Sequence, residues 1–212
     1  ITAGNWVFLE ARMTPTAVIV RVNRTEVLNI TSLTNGSVSQ FGILGATFGS
    51  SSDWWIDDMY CLNSTGSHNT TFLGDPQVYT LLPDGDSTPL DWANSTGSAS
   101  WSLIDEVGPN TTDYIESDTV GDTTEVTLTD LPTNITNIYG LQTYAYMKKL
   151  DAGAGDVSQG LDSGGSVDDD GGQSLSTDYA YYKATFEVDP ATAGTWTRTA
   201  VNAAKLVIAR TA

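Results

Sequence analysis

The amino-acid sequence predicts an all-β protein, and three observations carry that expectation. Short runs rich in Val, Ile, Tyr and Thr recur at roughly 8–12-residue spacing, split by Gly, Pro, Asn and Ser turns. No stretch of helical length carries a 3.6-residue apolar period. The densest β-branched run, 17–22, is followed by Asn23-Arg24 and a second run, 25–30, which is the pattern of a hairpin.

In order, 5–12 reads as a strand with Trp6, Phe8 and Ala11 toward a core, and Pro15 marks a turn. The hairpin 17–30 follows, then a polar loop and an alternating run, 38–45, with Phe41 and Ile43 inward. Residues 54–62 read as a closing strand. Ile56, Asp58, Tyr60 and Leu62 share one face, and Trp55, Asp57, Met59 and Cys61 the other. The turn-rich stretch after it suggests a boundary, giving domains at 1–66 and 67–212. Beyond it, strands are expected at 77–82, 123–128, 137–149, 157–161, 179–188 and 203–209. Residues 83–100 read as loop, 101–106 as a short strand or one helical turn, and 196–201 could hold one helical turn. The run 137–149 carries aromatics on both faces, as a strand buried on both sides or lying at a contact would.

Composition narrows the function. Nine Lys and Arg stand against 26 Asp and Glu, a net charge of -17. Such a chain repels nucleic acid and anionic membrane surfaces. One cysteine, Cys61, precludes an intrachain disulfide, and no apolar run approaches the ~18 residues of a membrane span. The chain opens on Ile1 rather than Met, which we read as processing or truncation.

Candidate sites are few. Asp57 and Asp58, adjacent in an expected strand, point to opposite faces, so acid–base cooperation is disfavoured; Asp58 reads as a cap for backbone amides. Asp168, Asp169 and Asp170 precede Gly171-Gly172 and are weak Ca²⁺ candidates, without the later acidic ligand of an EF-hand loop. The single histidine, His68, lies among Ser, Thr and Asn, and no Gly-x-Ser-x-Gly elbow or zinc-ligand spacing exists. We therefore expect no catalytic residues and no cofactor. Asn-x-Ser/Thr triplets begin at Asn23, Asn29, Asn35, Asn63, Asn69, Asn94, Asn110 and Asn134. They fit either glycosylation or a turn style in which Asn, Ser and Thr bond the backbone, and the second reading is preferred. Among the aromatics Trp54, Trp55, Tyr79, Trp92, Tyr144 and Tyr181, the interface or ligand candidates are Trp54, Trp55, Tyr144 and Tyr181.

The first segment resembles the second half of a concanavalin A-like, laminin-G-type jelly roll. The resemblance lies in Trp6-x-x-x-Glu10, the hairpin around Asn23-Arg24 (where Asn-Gly is usual) and the Ile56-Asp57-Asp58 run. The remainder is similar to structural proteins of tailed bacteriophages, most specifically in Asp189-Pro190-Ala191-Thr192, Trp196-Thr197 and Val201-Asn202-Ala203. The resemblance implies a partial jelly roll followed by a second antiparallel β-sandwich. It also implies a non-enzymatic place on the virion surface, as a tail fibre, head appendage or capsid-decorating protein. Its partners would be other virion proteins and copies of itself, through oligomeric contacts. The alternative is an adhesin module binding a host surface glycan; hydrolysis of a surface polysaccharide is a third, less supported reading.

Overall fold

The computed structural model describes residues 5–34, 55–63 and 66–212. The expected strand at 38–45 and the candidate Trp54 lie outside the described residues. The chain is all-β with antiparallel pairing, and it divides into two compact units, 1–78 and 79–212.

The first unit is a three-stranded meander, β1 (Leu9–Thr14), β2 (Ala17–Val22) and β3 (Thr25–Thr31). The turn between β2 and β3 places both Asn23 (φ 49°) and Arg24 (φ 67°) in the left-handed region. That pairing of positive φ matches the right-handed twist of the strands it joins. Asn23 also ties the turn back, its Oδ1 accepting from the Phe8 N–H at 3.0 Å. The register shifts between Val20 and Arg21, so Val27 is an extra residue in β3.

Two expectations fail in this unit. Trp6 is 72% exposed and lies before β1, because pairing with β2 begins only at Leu9. The closing strand does not form across 55–63. Asp58 turns to φ 49°, and its N–H donates to Asp57 Oδ1 at 2.9 Å. An Asp-Asp pair that bonds its own backbone competes with a strand ladder. The segment is held instead by single anchors. Buried Glu10 accepts from the Tyr60 hydroxyl at 2.6 Å and the Gly74 N–H at 3.1 Å. Arg21 lies 4.0 Å over the Phe72 ring. Burial, then the hydrogen bond to Glu10, pushes the Tyr60 phenol up to about 12.

The second unit contains β4 (Pro83–Leu90), β5 (Ala93–Asn94), β6 (Ile115–Glu116), β7 (Thr123–Leu128), β8 (Leu141–Met147), β9 (Asp156–Ser163), β10 (Ser166–Asp169), β11 (Gln173–Ser174), β12 (Ala180–Phe186) and β13 (Lys205–Arg210), with one helix, α1 (Arg198–Ala203), before β13. The main sheet runs β10-β9-β13-β7-β4, with β11 also on β9; β12-β8 and β5-β6 form two smaller sheets. The strand expected at 77–82 is absent, and β4 replaces the expected loop at 83–90. Its prolines and glycine argue against a strand, but β4 is an edge, where a missing N–H costs no ladder bond.

β9 occupies the middle of the Gly/Asp-rich stretch and is buried along nearly its whole length. A Cβ on Gly160 would come within 2.7 Å of the Asp168 carbonyl, so glycine permits β10 to close on β9. Leu161 of β9 packs with Ala184 and Phe186 of β12, Trp196, Val201 and Ala204. Val157 and Ile208 pack with Leu175, Met147 and Tyr182. These contacts set the β8–β12 pair as a layer over the main sheet. Trp196, 3% exposed, donates its indole N–H to the Phe186 carbonyl at 3.1 Å. Thr197 caps α1 by accepting from the Ala200 N–H at 3.1 Å.

Candidate functional site: a stacked tyrosine row

β8 and β12 pair in continuous antiparallel register, Leu141 opposite Phe186 through Met147 opposite Ala180. Side chains alternate between faces. Leu141, Met147, Tyr182, Ala184 and Phe186 go inward to the two core clusters. The same alternation turns Gln142, Tyr144, Tyr146, Tyr181, Lys183 and Thr185 outward. Both aromatics of β8 thus lie on its exposed face, and Tyr139 precedes the strand and is 39% exposed, so the run is not buried on both sides.

The outward tyrosines form one stack. Tyr144 and Tyr181 have centroids 4.6 Å apart at 12° between planes. Tyr181 meets Tyr146 at 4.7 Å, tilted by 46°. Tyr146 stacks on Tyr179 at 4.9 Å and 11°. Lys148 Nζ caps the row, 4.6 Å from the Tyr179 centroid. Each aromatic pair contributes about 0.5–1.5 kcal/mol beyond its burial, and an exposed cation–π contact about 0.5–1 kcal/mol. Tyr144 remains 63% exposed and Tyr181 48%. Neighbouring rings spend their faces on one another, so the row mainly presents ring edges and hydroxyls.

The row is also an exception in charge. Neither β8 nor β12 contains an acidic residue, in a chain with 26. Three of the four lysines, Lys148, Lys149 and Lys183, lie in or beside these strands. Lys149 Nζ is used by the Gly153 carbonyl at 2.7 Å. The fourth, Lys205, bridges Glu125 at 3.0 Å and Asp162 at 3.4 Å. Its hydrogen bond to Glu125 raises its ammonium above the ordinary lysine value, against the cost of partial burial.

Of the candidates read from sequence, the structure brings Tyr144 and Tyr181 together. Sequence reasoning missed Tyr146, Tyr179 and Lys148, which complete the row; the signal was two tyrosines spaced by two in β8 and again at the start of β12. Trp55 is 80% exposed in the first unit, whereas Trp92 packs against core residues and donates its indole N–H to the Asp122 carbonyl at 3.2 Å. Asp58 Oδ1 accepts from the Val78 N–H at 2.7 Å. Two of the three consecutive aspartates bond the chain's own backbone: Asp169 accepts from the Gly171 N–H at 2.7 Å, and Asp170 Oδ1 from the Gln159 and Gly172 N–H groups, both at 3.1 Å. Asp168 and Asp169 alternate across β10, opposite Leu161 and Gly160 respectively. Among the described residues no group of three or more His, Cys, Asp or Glu is placed to hold a metal ion, and no helix is long and apolar enough to cross a membrane. Comparison with family models, curated proteins and solved structures gives no match.

Proposed function

We propose that this chain is a non-enzymatic structural protein of a bacteriophage virion surface, joined to a neighbouring virion polypeptide through the outer face of β8–β12. The observation that carries the contact is the tyrosine row, four rings in mutual contact of which Tyr144 and Tyr181 are left about half in solvent, on an otherwise acidic protein. Tyrosine supplies large, rigid contact area at little entropic cost, and aromatic side chains concentrate at protein interfaces. The virion setting and the reading of the first unit as half of a laminin-G-type jelly roll rest on the sequence resemblance. The test is incorporation into particles. Tyr144→Ser with Tyr181→Ser should leave a folded chain that enters particles at about a tenth of the normal level or less, the loss expected when hot-spot aromatics are removed. Undiminished incorporation would sink the proposal.

A glycan-binding role is the second reading, favoured by one detail. Tyr144 ends the stack, so one of its ring faces is not spent on another ring. A sugar could lie on it. A glycan array, run with and without chelator, should then show a signal that Tyr144→Ala abolishes, and a flat array under both conditions removes this reading.

A further inference from the structure

A different surface, in the first unit, carries an inference that does not depend on the tyrosine row. Following the register across β1, β2 and β3, Leu9, Met13, Val18, Val20, Leu28 and Ile30 all fall on one face. Thr25 is the only polar residue among the paired positions of that face. The opposite face holds Glu10, Arg12, Arg21 and Glu26, and it is this charged face that receives Tyr60 and Phe72. Among the described residues, then, the polar face is partly covered, with Arg12 and Glu26 still exposed, and the apolar face is left partly in solvent. Leu9 is 52% exposed, Met13 50%, Leu28 41% and Ile30 42%. A three-stranded sheet needs a second layer on its apolar face to be stable.

We infer that this face is covered by the same face of a second copy of the chain, the two sheets packing as the layers of one sandwich. Area favours that occupant, and the uncharged character of the face permits it. The exposed apolar surface is roughly 500 Å², at the upper end of what a monomer leaves bare. Two such faces together bury about 1,000 Å², the lower bound for a specific interface. Copies that each carry -17 repel one another. This face has no charged side chain, so apposing it adds no desolvated charge, and salt screens the long-range repulsion. The dimer should therefore tighten as salt is raised, the opposite of an ion-pair interface.

Sedimentation equilibrium of the full chain tests this. A discrete dimer is expected, with Kd falling as NaCl increases. Leu28→Glu should weaken it by about tenfold or more. Thr25→Lys, at a position already polar, should weaken it too, without the folding risk of a buried charge; near-ultraviolet circular dichroism checks the fold of each. Glu26→Gln on the other face, and Tyr144→Ser with Tyr181→Ser in the second unit, should leave Kd unchanged. A chain that stays monomeric would overturn the inference and assign the face to a different polypeptide. A dimer that survives Leu28→Glu and Thr25→Lys, or that is lost in the tyrosine variant, would overturn it as well.

Discussion

Two side chains show how single polar residues hold a β protein with so many turns. Asp189 is 4% exposed in the turn after β12. Burial pushes its carboxyl up, but hydrogen bonds from Ser163, the Ala191 N–H and Thr192 Oγ1 outweigh that and leave it below the ordinary value of 3.8. The folded state thus holds its proton more weakly than the unfolded chain. The resulting stability is complete above the unfolded value and is lost as pH falls through the folded one. Asp189→Asn should cost about 1–3 kcal/mol at neutral pH, by urea unfolding, and progressively less in acid. A pH-independent cost would show that charge plays no part. Tyr60 shifts the other way. Its phenol, pushed up to about 12, favours the folded state below pH 10, and that contribution fades as pH rises through the folded value. Ultraviolet titration should find a tyrosine ionising near pH 12, and Tyr60→Phe should remove it. At this scale the sequence was partly legible. Asp58 as a backbone cap could be read from residue type, although the strand around it could not: residue 58 takes a left-handed conformation that alternation does not reveal.

Among the elements, the best-read ones had both strong β propensity and a matching turn. The 17–30 hairpin and the strands at 123–128, 180–186 and 205–210 are of this kind. β4 was missed because an edge strand tolerates Pro83, Pro89 and Gly85, which locally read as loop. Its Asp86 then serves the neighbouring 3₁₀ turn, accepting from the Trp101 N–H at 2.8 Å. The tyrosine row was half legible. Alternation put Tyr144 and Tyr146 on one face, but only the β8–β12 register sets Tyr181 beside both. The row therefore contributes to its own sheet as well as to any partner. Tyr181 touches two rings, so Tyr181→Ser should destabilise the fold by about 1–3 kcal/mol, against about 0.5–1.5 kcal/mol for Tyr144→Ser, which loses one pair. Equal costs in thermal or urea unfolding would mean that the rings do not stack as a row.

For the whole molecule, strong net negative charge and exposed aromatic surface act in opposite directions. The charge of -17 sets a long-range repulsion that any contact between copies must overcome, and the acid-free β8–β12 strands mark one place where it is locally relieved. A protein that must stay dispersed until it meets its place in an assembly needs both properties. Repetition on a particle would turn modest contacts into a stable attachment. The most direct measurement of the proposed virion role is a cryo-electron microscopy map of phage particles assembled with this chain. The expected map shows the chain on the particle surface, with Tyr144, Tyr146 and Tyr181 buried against a neighbouring polypeptide. A chain missing from the particle, or one held there with the tyrosine row open to solvent, would contradict the account.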